Sequence, residues 1–387
     1  MNPLDAHAAR GKQNGHIECY MHQTTWLATL TKTPGQFSAK INRLMSFCAA
    51  TGVVCGRINK GWVSLDSGIW CRTKFKTYDR WSPAMLEKAV SHPECGACGA
   101  AMTAHFPRVS DPQSGEVFGI ERCSRCGMGQ TFPQPIDLGP YYGPQYHGGR
   151  HGVTDRMCMA RRLGFMNSVS KKGRVLDFGC GDGGFIAAAQ ADGWDAVGVE
   201  MTPDQARARG LAVFEDLRYV GTGFDVVTLW HCLEHLRSPR EIVAQLLTVL
   251  KPGGQVIVAV PNSKSLQALI FGRHWFHNDV PRHLSHFTPA ALTSMFSGLG
   301  MCVVKRWNLE IEIDYFGWPQ SALNMALPEP NVLFDTVTER GRPHSLTMVL
   351  ASLALGSVIS VLSLPLFLAS ILLGRGAIMI YAFSKKD

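Results

Sequence analysis

Charge is scarce in this 387-residue sequence and unevenly placed: 18% of its residues are Asp, Glu, Lys or Arg. The formal net charge of +8 comes almost wholly from residues 1–90, where 12 Lys and Arg face 5 Asp and Glu, while residues 91–387 hold 26 against 25. A nearly neutral bulk with no basic stripe and no interleaved aromatics argues against a nucleic-acid partner. Residues 1–20 lack an apolar run behind a basic start, so no secretory leader is expected there. A disulfide framework is not expected either. Of the 12 cysteines, four form two close pairs and the others are scattered, which points to reduced thiols in a cytosolic compartment. What remains is ample for a core, since 46% of residues are hydrophobic and the length allows two or three domains.

Pattern is missing next. Residues 1–90 show neither a sustained 3.6-residue period nor strand alternation, and are expected to form a poorly ordered or peripheral extension. From Cys95 the texture changes. Cys95-Gly-Ala-Cys98-Gly and Cys123-Ser-Arg-Cys126-Gly are two knuckles separated by 24 residues. Each can place two thiolates on one ion, and the glycine after each frees the turn so that backbone amides face sulfur. Together Cys95, Cys98, Cys123 and Cys126 predict a closed, structural Zn2+ site in a ribbon over residues 91–130. Two redox pairs or unrelated buried thiols are the plainer alternative, and the repeat of the pattern disfavours them.

A Pro-, Gly- and Tyr-rich linker over 131–152 precedes a helix expected at 153–169. Gly173-Arg-Val-Leu-Asp177-Phe-Gly179-Cys180-Gly181-Asp182-Gly183-Gly184-Phe then reads as a strand, a tight glycine turn and a helix start. The glycines let backbone approach a ligand, and the helix amino end offers free N–H groups. Gly179-x-Gly181-x-x-Gly184 also fits a dinucleotide pattern, but the acids separate the two readings. A pyrophosphate wants the positive helix end with no carboxylate nearby. Asp177 and Asp182 would repel it, yet they suit a sulfonium cation and an amino-acid ammonium, the charges of S-adenosylmethionine. Ala196-Val-Gly-Val-Glu200 is a second strand ending in an acid that can accept both ribose hydroxyls. Phe224–Trp230 and 255–260 read as further strands around a helix at 238–250, an alternation that predicts a parallel sheet covered by helices.

Val175 to Phe185, Trp230-His-Cys-Leu-Glu-His235 and Leu250-Lys-Pro-Gly-Gly254 together resemble class I S-adenosylmethionine-dependent methyltransferases, in the small-molecule branch that includes the ubiquinone-biosynthesis enzymes. The resemblance covers roughly residues 140–315. It implies an α/β, Rossmann-like, seven-stranded sheet over 153–344, with Asp177, Gly179, Cys180, Gly181, Asp182 and Gly183 around the methionine end of the cofactor. It further implies Glu200 at the ribose, Glu215 or Asp216 at the adenine amino group, and Trp230 or His231 along the cofactor. The reaction would be in-line displacement at the methyl, mainly a matter of positioning. For an alcohol or phenol acceptor a base is needed; the candidates are His231, His283 and His286, whereas His235 reads as a structural residue. His283 and His286 have His-x-x-His spacing, but without further ligands nearby they are not expected to hold a metal. The rival readings are a non-catalytic cofactor-binding scaffold and a nicotinamide-dependent oxidoreductase.

Residues 345–374 contain no charge. One tilted membrane span is the simple reading, but the resembled fold closes with an antiparallel pair of strands, which Met301–Trp307 and 377–383 fit. The apolar stretch then becomes an insertion whose ends share one side of the membrane. Folded about Ser363-Leu-Pro365, it would give two helices of ~14 residues, each ~21 Å long and too short for a ~30 Å hydrocarbon core. A helical hairpin dipping into one leaflet is the expectation, followed by a returning strand and basic tail over 375–387; a buried oligomer interface and a true span are the alternatives. The whole reads as a cytosolic, membrane-docked methyltransferase for a small-molecule or lipid-linked acceptor.

Overall fold

A computed structural model describes residues 94–142, 153–338 and 342–385, together with four short strands nearer the start. The chain divides into two units, residues 1–87 and 88–387. In the first, Ile17–Met21, Thr24–Ala28, Trp62–Ser64 and Trp70–Thr73 pair antiparallel in the order second, first, fourth, third. The rest of the expected peripheral extension lies outside the described residues.

The second unit opens with β1 (Met102–Ser110), β2 (Val117–Cys123) and β3 (Gly129–Phe132), an antiparallel ribbon. After α1 (Val153–Asn167) come β4 (Arg174–Phe178), α2 (Gly184–Ala191), β5 (Asp195–Val199), α3 (Asp204–Ala208), β6 (Val213–Phe214) and β7 (Phe224–Trp230). Then follow α4 (Pro239–Val249), β8 (Leu250–Pro261), α5 (Leu266–Phe271), β9 (Ser285–His286), α6 (Pro289–Ser297) and β10 (Met301–Trp307). The chain closes with α7 (Ile311–Ala326), α8 (Val332–Thr338), α9 (Leu346–Leu372) and β11 (Ile378–Lys385).

Val175, Leu176, Val226, Val227, Leu229 and Val256 to Val260 are fully buried, as continuous apolar runs are when both faces of a parallel sheet are covered. The order is β6-β5-β4-β7-β8-β11-β10, parallel through β8, with β11 antiparallel between β8 and β10. α1 and α2 pack on one face through Met166, Phe185 and Ile186. α4 and α6 cover the other through Val243, Leu246, Leu292 and Phe296, and the ribbon's Met102 and Met128 join that core. Strand order reverses between β4 and β7, which opens a crevice at their carboxyl ends.

The ribbon is not a separate bead. β9 comes from the loop after β8 and pairs with β3, Ser285 opposite Gln130 and His286 opposite Gly129. The ribbon sheet therefore runs past residue 130, through Phe132, and takes its fourth strand from the loop after β8.

The pairing of Met301–Trp307 with the last strand is present as expected: Trp307 lies opposite Ile380 and Val303 opposite Phe383. The helical hairpin is not. α9 is one continuous 27-residue helix that passes through Pro365 without a turn, ~40 Å long at 1.5 Å per residue. Its partner is α7, which lies outside the uncharged segment. The Tyr315 hydroxyl donates to the Ser360 carbonyl at 2.7 Å, Tyr315 meets the Phe367 ring at 5.2 Å, and Gly356 lies against Leu323 and Leu333. Both halves of α9 are thus clamped along α7, and a break at the proline would lose one of them. The Ser363 hydroxyl also donates to the Ser360 carbonyl, bridging the turn that proline weakens.

The polarity of α9 is inverted: Ser352, Gly356, Ser363 and Ser370 are buried, whereas Leu346, Val361, Leu362 and Leu372 are 69–86% exposed.

The return of β11 rests on Phe383, fully buried and stacked on Phe296 at 3.9 Å. Phe383→Ala should therefore cost ~3–5 kcal/mol by urea denaturation, while Val304→Ala on the exposed side of β10 should stay within ~0.5 kcal/mol of wild type. Equal costs would contradict the strand assignment.

Candidate active site

The glycine turn after β4 has the geometry its composition implies. Gly179, Gly181 and Gly183 have φ of +74°, +55° and +79°, a region that strains any side chain. A Cβ on Gly179 would stand 2.4 Å from Cys232 Sγ, and one on Gly183 2.3 Å from Leu211. At Gly181 nothing lies within 4 Å of that position, so the turn faces open space there.

Acids surround that space. Asp177, 4% exposed, ends β4 and accepts from the Thr228 hydroxyl on β7 at 2.7 Å. Burial pushes its carboxyl up to about 6, against the Thr228 hydrogen bond and the Arg162 guanidinium, which pull it down. Glu200, after β5, accepts from Gly181 N at 2.9 Å and from Met201 N at 2.7 Å, and so lies across the turn. Asp182 accepts from Gly184 N and pairs with Arg209, capping the start of α2. Trp230, at the end of β7, is buried edge-on to Phe185 with Arg162 over its ring at 5.0 Å. Its Nε1 has no hydrogen-bond partner among the described residues. Buried carboxylates, an open glycine cradle and an orphaned indole N–H fit a cationic amino acid joined to a nucleoside.

Three expected cofactor residues have partners within the protein. Cys180 Sγ packs against Gly198 in the sheet, 2.5 Å from where a Cβ would be. Asp216 caps the turn over Leu217–Tyr219 through Arg218 N and pairs with the Arg218 side chain, while Glu215 pairs with Arg207. The structure turns both acids onto arginines.

The three candidate bases also separate. His231 sits at φ +51° just after β7. Its Nε2 meets Glu310 Oε2 at 2.6 Å and its Nδ1 faces Glu234 Oε1 at 3.6 Å. Burial disfavours its charge, but the two carboxylates outweigh that and hold the imidazole up at about 9. His231 is therefore an ion-paired cation at neutral pH rather than a free base. His286 lies in the ribbon seam, with Nε2 3.0 Å from the Thr131 hydroxyl, and burial pushes it down to about 3. His283 is buried, and its Nδ1 lies 2.8 Å from the His277 carbonyl. Its ring meets His235 edge-on at 4.7 Å.

Sequence reasoning missed Glu310. It is 1% exposed and joins three elements, taking hydrogen bonds from Arg162 Nε at 2.9 Å, Cys158 Sγ at 3.1 Å and His231. It lies 148 residues from Arg162 and 79 from His231, and no local spacing signals such a contact.

The four ribbon cysteines converge. Cys95 and Cys126 Sγ lie 3.4 Å apart, Cys98 and Cys123 Sγ 3.5 Å apart, and all four fall within 4.8 Å of one another. Gly99 and Gly127 both adopt positive φ, as the knuckle reading requires. The donor set and spacing fit a tetrahedral ion with metal–sulfur bonds of ~2.3 Å.

A family model described as a methyltransferase domain matches residues 153–305. That span covers the glycine turn, the reversal of strand order and β7. Residues 153–305 form a methyltransferase domain. Among the chain's relatives, the ubiquinone biosynthesis O-methyltransferase of Aeromonas salmonicida is 28% identical over 150 residues, 34% of this chain and 63% of that one. That of Methylococcus capsulatus is 33% identical over 131 residues, 30% of this chain and 55% of its own. The chain thus spans less than two thirds of the length of either. A solved S-adenosylmethionine-dependent methyltransferase from Archaeoglobus fulgidus is 20% identical, covers 65% of this chain and 100% of its own, and has a TM-score of 0.39.

If Asp177 meets the ammonium or sulfonium charge, its ionisation is linked to binding. Calorimetry should show S-adenosylmethionine affinity falling about tenfold from pH 7 to pH 5 through the carboxyl near 6. Asp177→Asn should weaken binding at pH 7 and flatten that dependence. An unchanged pH profile in the variant would assign the titration to another group.

Proposed function

We propose that the chain transfers a methyl group from S-adenosylmethionine to a small-molecule or lipid-linked acceptor at the cytosolic face of a membrane. The acid-lined glycine turn at the strand-order reversal carries the reading, because its charge suits this cofactor and repels a pyrophosphate. Asp177 would face the methionine end and Glu200 the ribose, with Trp230 closing the pocket wall. Bound there, the cofactor supplies an electrophilic methyl on sulfur; the chain's residues hold it and orient the acceptor for in-line attack. The near balance of charge over residues 91–387 favours a small acceptor over a nucleic acid.

A place for that acceptor lies between ribbon and catalytic part. A cavity of about 250 Å³ is lined by His105, Phe106 and Arg122 on one side and by Leu269, Trp275 and His286 on the other. Trp275 belongs to the same apolar cluster as Phe367 on the buried side of α9. The cysteine cluster, holding Zn2+, would keep the ribbon wall in place.

The exposed face of α9 supports the membrane. Its leucines point outward and its small and hydroxyl residues inward, the arrangement of a helix against lipid. A full crossing would have to carry along α7, with Glu312 and Asp314, and the ion pairs of His344 with Glu329 and Asp335 beside the start of α9. A helix lying in one leaflet keeps those groups in water. The chain should fractionate with membranes and be released by detergent rather than salt. Cysteines placed at Ser345 and Gly374 should both react with an impermeant maleimide from the cytosolic side. Labelling from opposite sides would establish a span, and a soluble chain would refute membrane docking.

A further inference from the structure

We infer that Glu234, His235 and His283 form a second metal site, distinct from the cysteine cluster, that takes a first-row divalent cation such as Zn2+. One ligand atom from each residue lies within 4.8 Å of the other two, close enough for small side-chain rotations to bring them to bonds of ~2.0–2.2 Å. Proximity is not the main argument; the distribution of protons is. His235 Nδ1 lies 3.0 Å from the Arg282 carbonyl, and His283 Nδ1 lies 2.8 Å from the His277 carbonyl. The Tyr142 hydroxyl also lies 3.0 Å from His235 Nδ1, and as it can accept, a hydrogen on each Nδ1 serves both carbonyls. Each Nε2 is then a lone pair, that of His283 standing 3.9 Å from Asp279 Oδ2, beyond hydrogen-bond reach. Binding the far ring N–H to a backbone carbonyl is how proteins orient an imidazole toward a metal.

The third member sharpens the case. Glu234 is 1% exposed, and neither of its carboxylate oxygens has a hydrogen-bond partner among the described residues. Its ion-pair partner, His231 Nδ1, stands 3.6 Å away, beyond hydrogen-bond reach, and is shared with Glu310 through its other nitrogen. A buried carboxylate without hydrogen bonds is costly, and a ring nitrogen of His235 and one of His283 lie within 4.8 Å of it. One proton can join two acceptors. Three acceptors converging from three residues call for a cation with several coordination positions.

Two imidazoles and one carboxylate suit Zn2+ and leave its fourth position open, the pattern of catalytic rather than structural sites. His286 takes no part, because its ring is committed to the Thr131 hydroxyl. Only the role of the site rests on the methyltransferase reading: an acceptor hydroxyl taken at the open position would lose its proton more readily, which favours oxygen as the methylated atom. Occupancy of the site does not depend on that reading.

Metal content separates the two. The full chain, purified under reducing conditions and saturated with Zn2+, should hold two equivalents by elemental analysis. Co2+ should fill a thiolate site with intense near-ultraviolet charge-transfer bands and a second site with visible d–d bands alone. Glu234→Gln and His283→Gln should each drop to one equivalent and keep the thiolate bands, and His283→Cys should restore the second. One equivalent in the saturated wild type, or two retained in the Gln variants, would overturn the site. Cofactor binding unaffected by loss of this metal would leave the methyltransferase reading intact.

Discussion

The chain leaves the sheet at Trp307 and has to re-enter it at Ile378, between β8 and β10. Everything in between, α7 to α9, is therefore a loop whose two feet stand on neighbouring strands. Asp314 ties the feet together. Its Oδ2 accepts from Glu310 N at 2.7 Å, and its Oδ1 accepts from Ala377 N and Ile378 N. Burial pushes this carboxyl up to about 7, against those backbone hydrogen bonds. Four residues before it, Glu310 reaches into the cofactor crevice. A short stretch, 310–314, thus couples the apolar helix, the last strand and the active site.

That coupling organises the buried charge. Arg162 lies over Trp230 and bonds Glu310; Glu310 holds His231; His231 faces Glu234. Isolated, each of these groups would be costly to bury, and together they alternate in sign from the cofactor end of β7 toward the histidine cluster. On the other side of the crevice Asp177 is held by Thr228 and Glu200 by the backbone of its own turn. Acid thus lines the open side of the glycine turn, where the proposed cofactor's sulfonium and ammonium groups would lie, and the glycine φ values keep that wall thin.

Much of this was legible in the residues. The turn from Asp177 to Gly184 could be read because a strand end, closely spaced glycines and a helix start follow one another directly in sequence. The cysteine knuckles could be read because two identical local patterns converge, and the last strand because an uncharged segment was followed by a strand-like apolar run. Three features could not. Glu310 acts from outside the matched domain, across contacts that no spacing encodes. His235 read as a structural residue and Glu234 carried no signal, because the loop that brings His283 within 4.8 Å of them lies about 50 residues further on. The continuity of α9 depends on α7, which lies outside the uncharged segment and so was not read as its partner, and the proline was given too much weight. Cys180 and Asp216 lie within the matched stretches, but their side chains answer to Gly198 and Arg218 rather than to a ligand.

The central claim is the identity of the cofactor, and titration calorimetry on the full chain tests it most directly. The account predicts that S-adenosylmethionine and S-adenosylhomocysteine bind once per chain, that Glu200→Ala weakens both by a charged hydrogen bond's worth of about 1.5–3 kcal/mol, and that NAD does not bind. Binding of NAD without binding of either adenosyl ligand would contradict it.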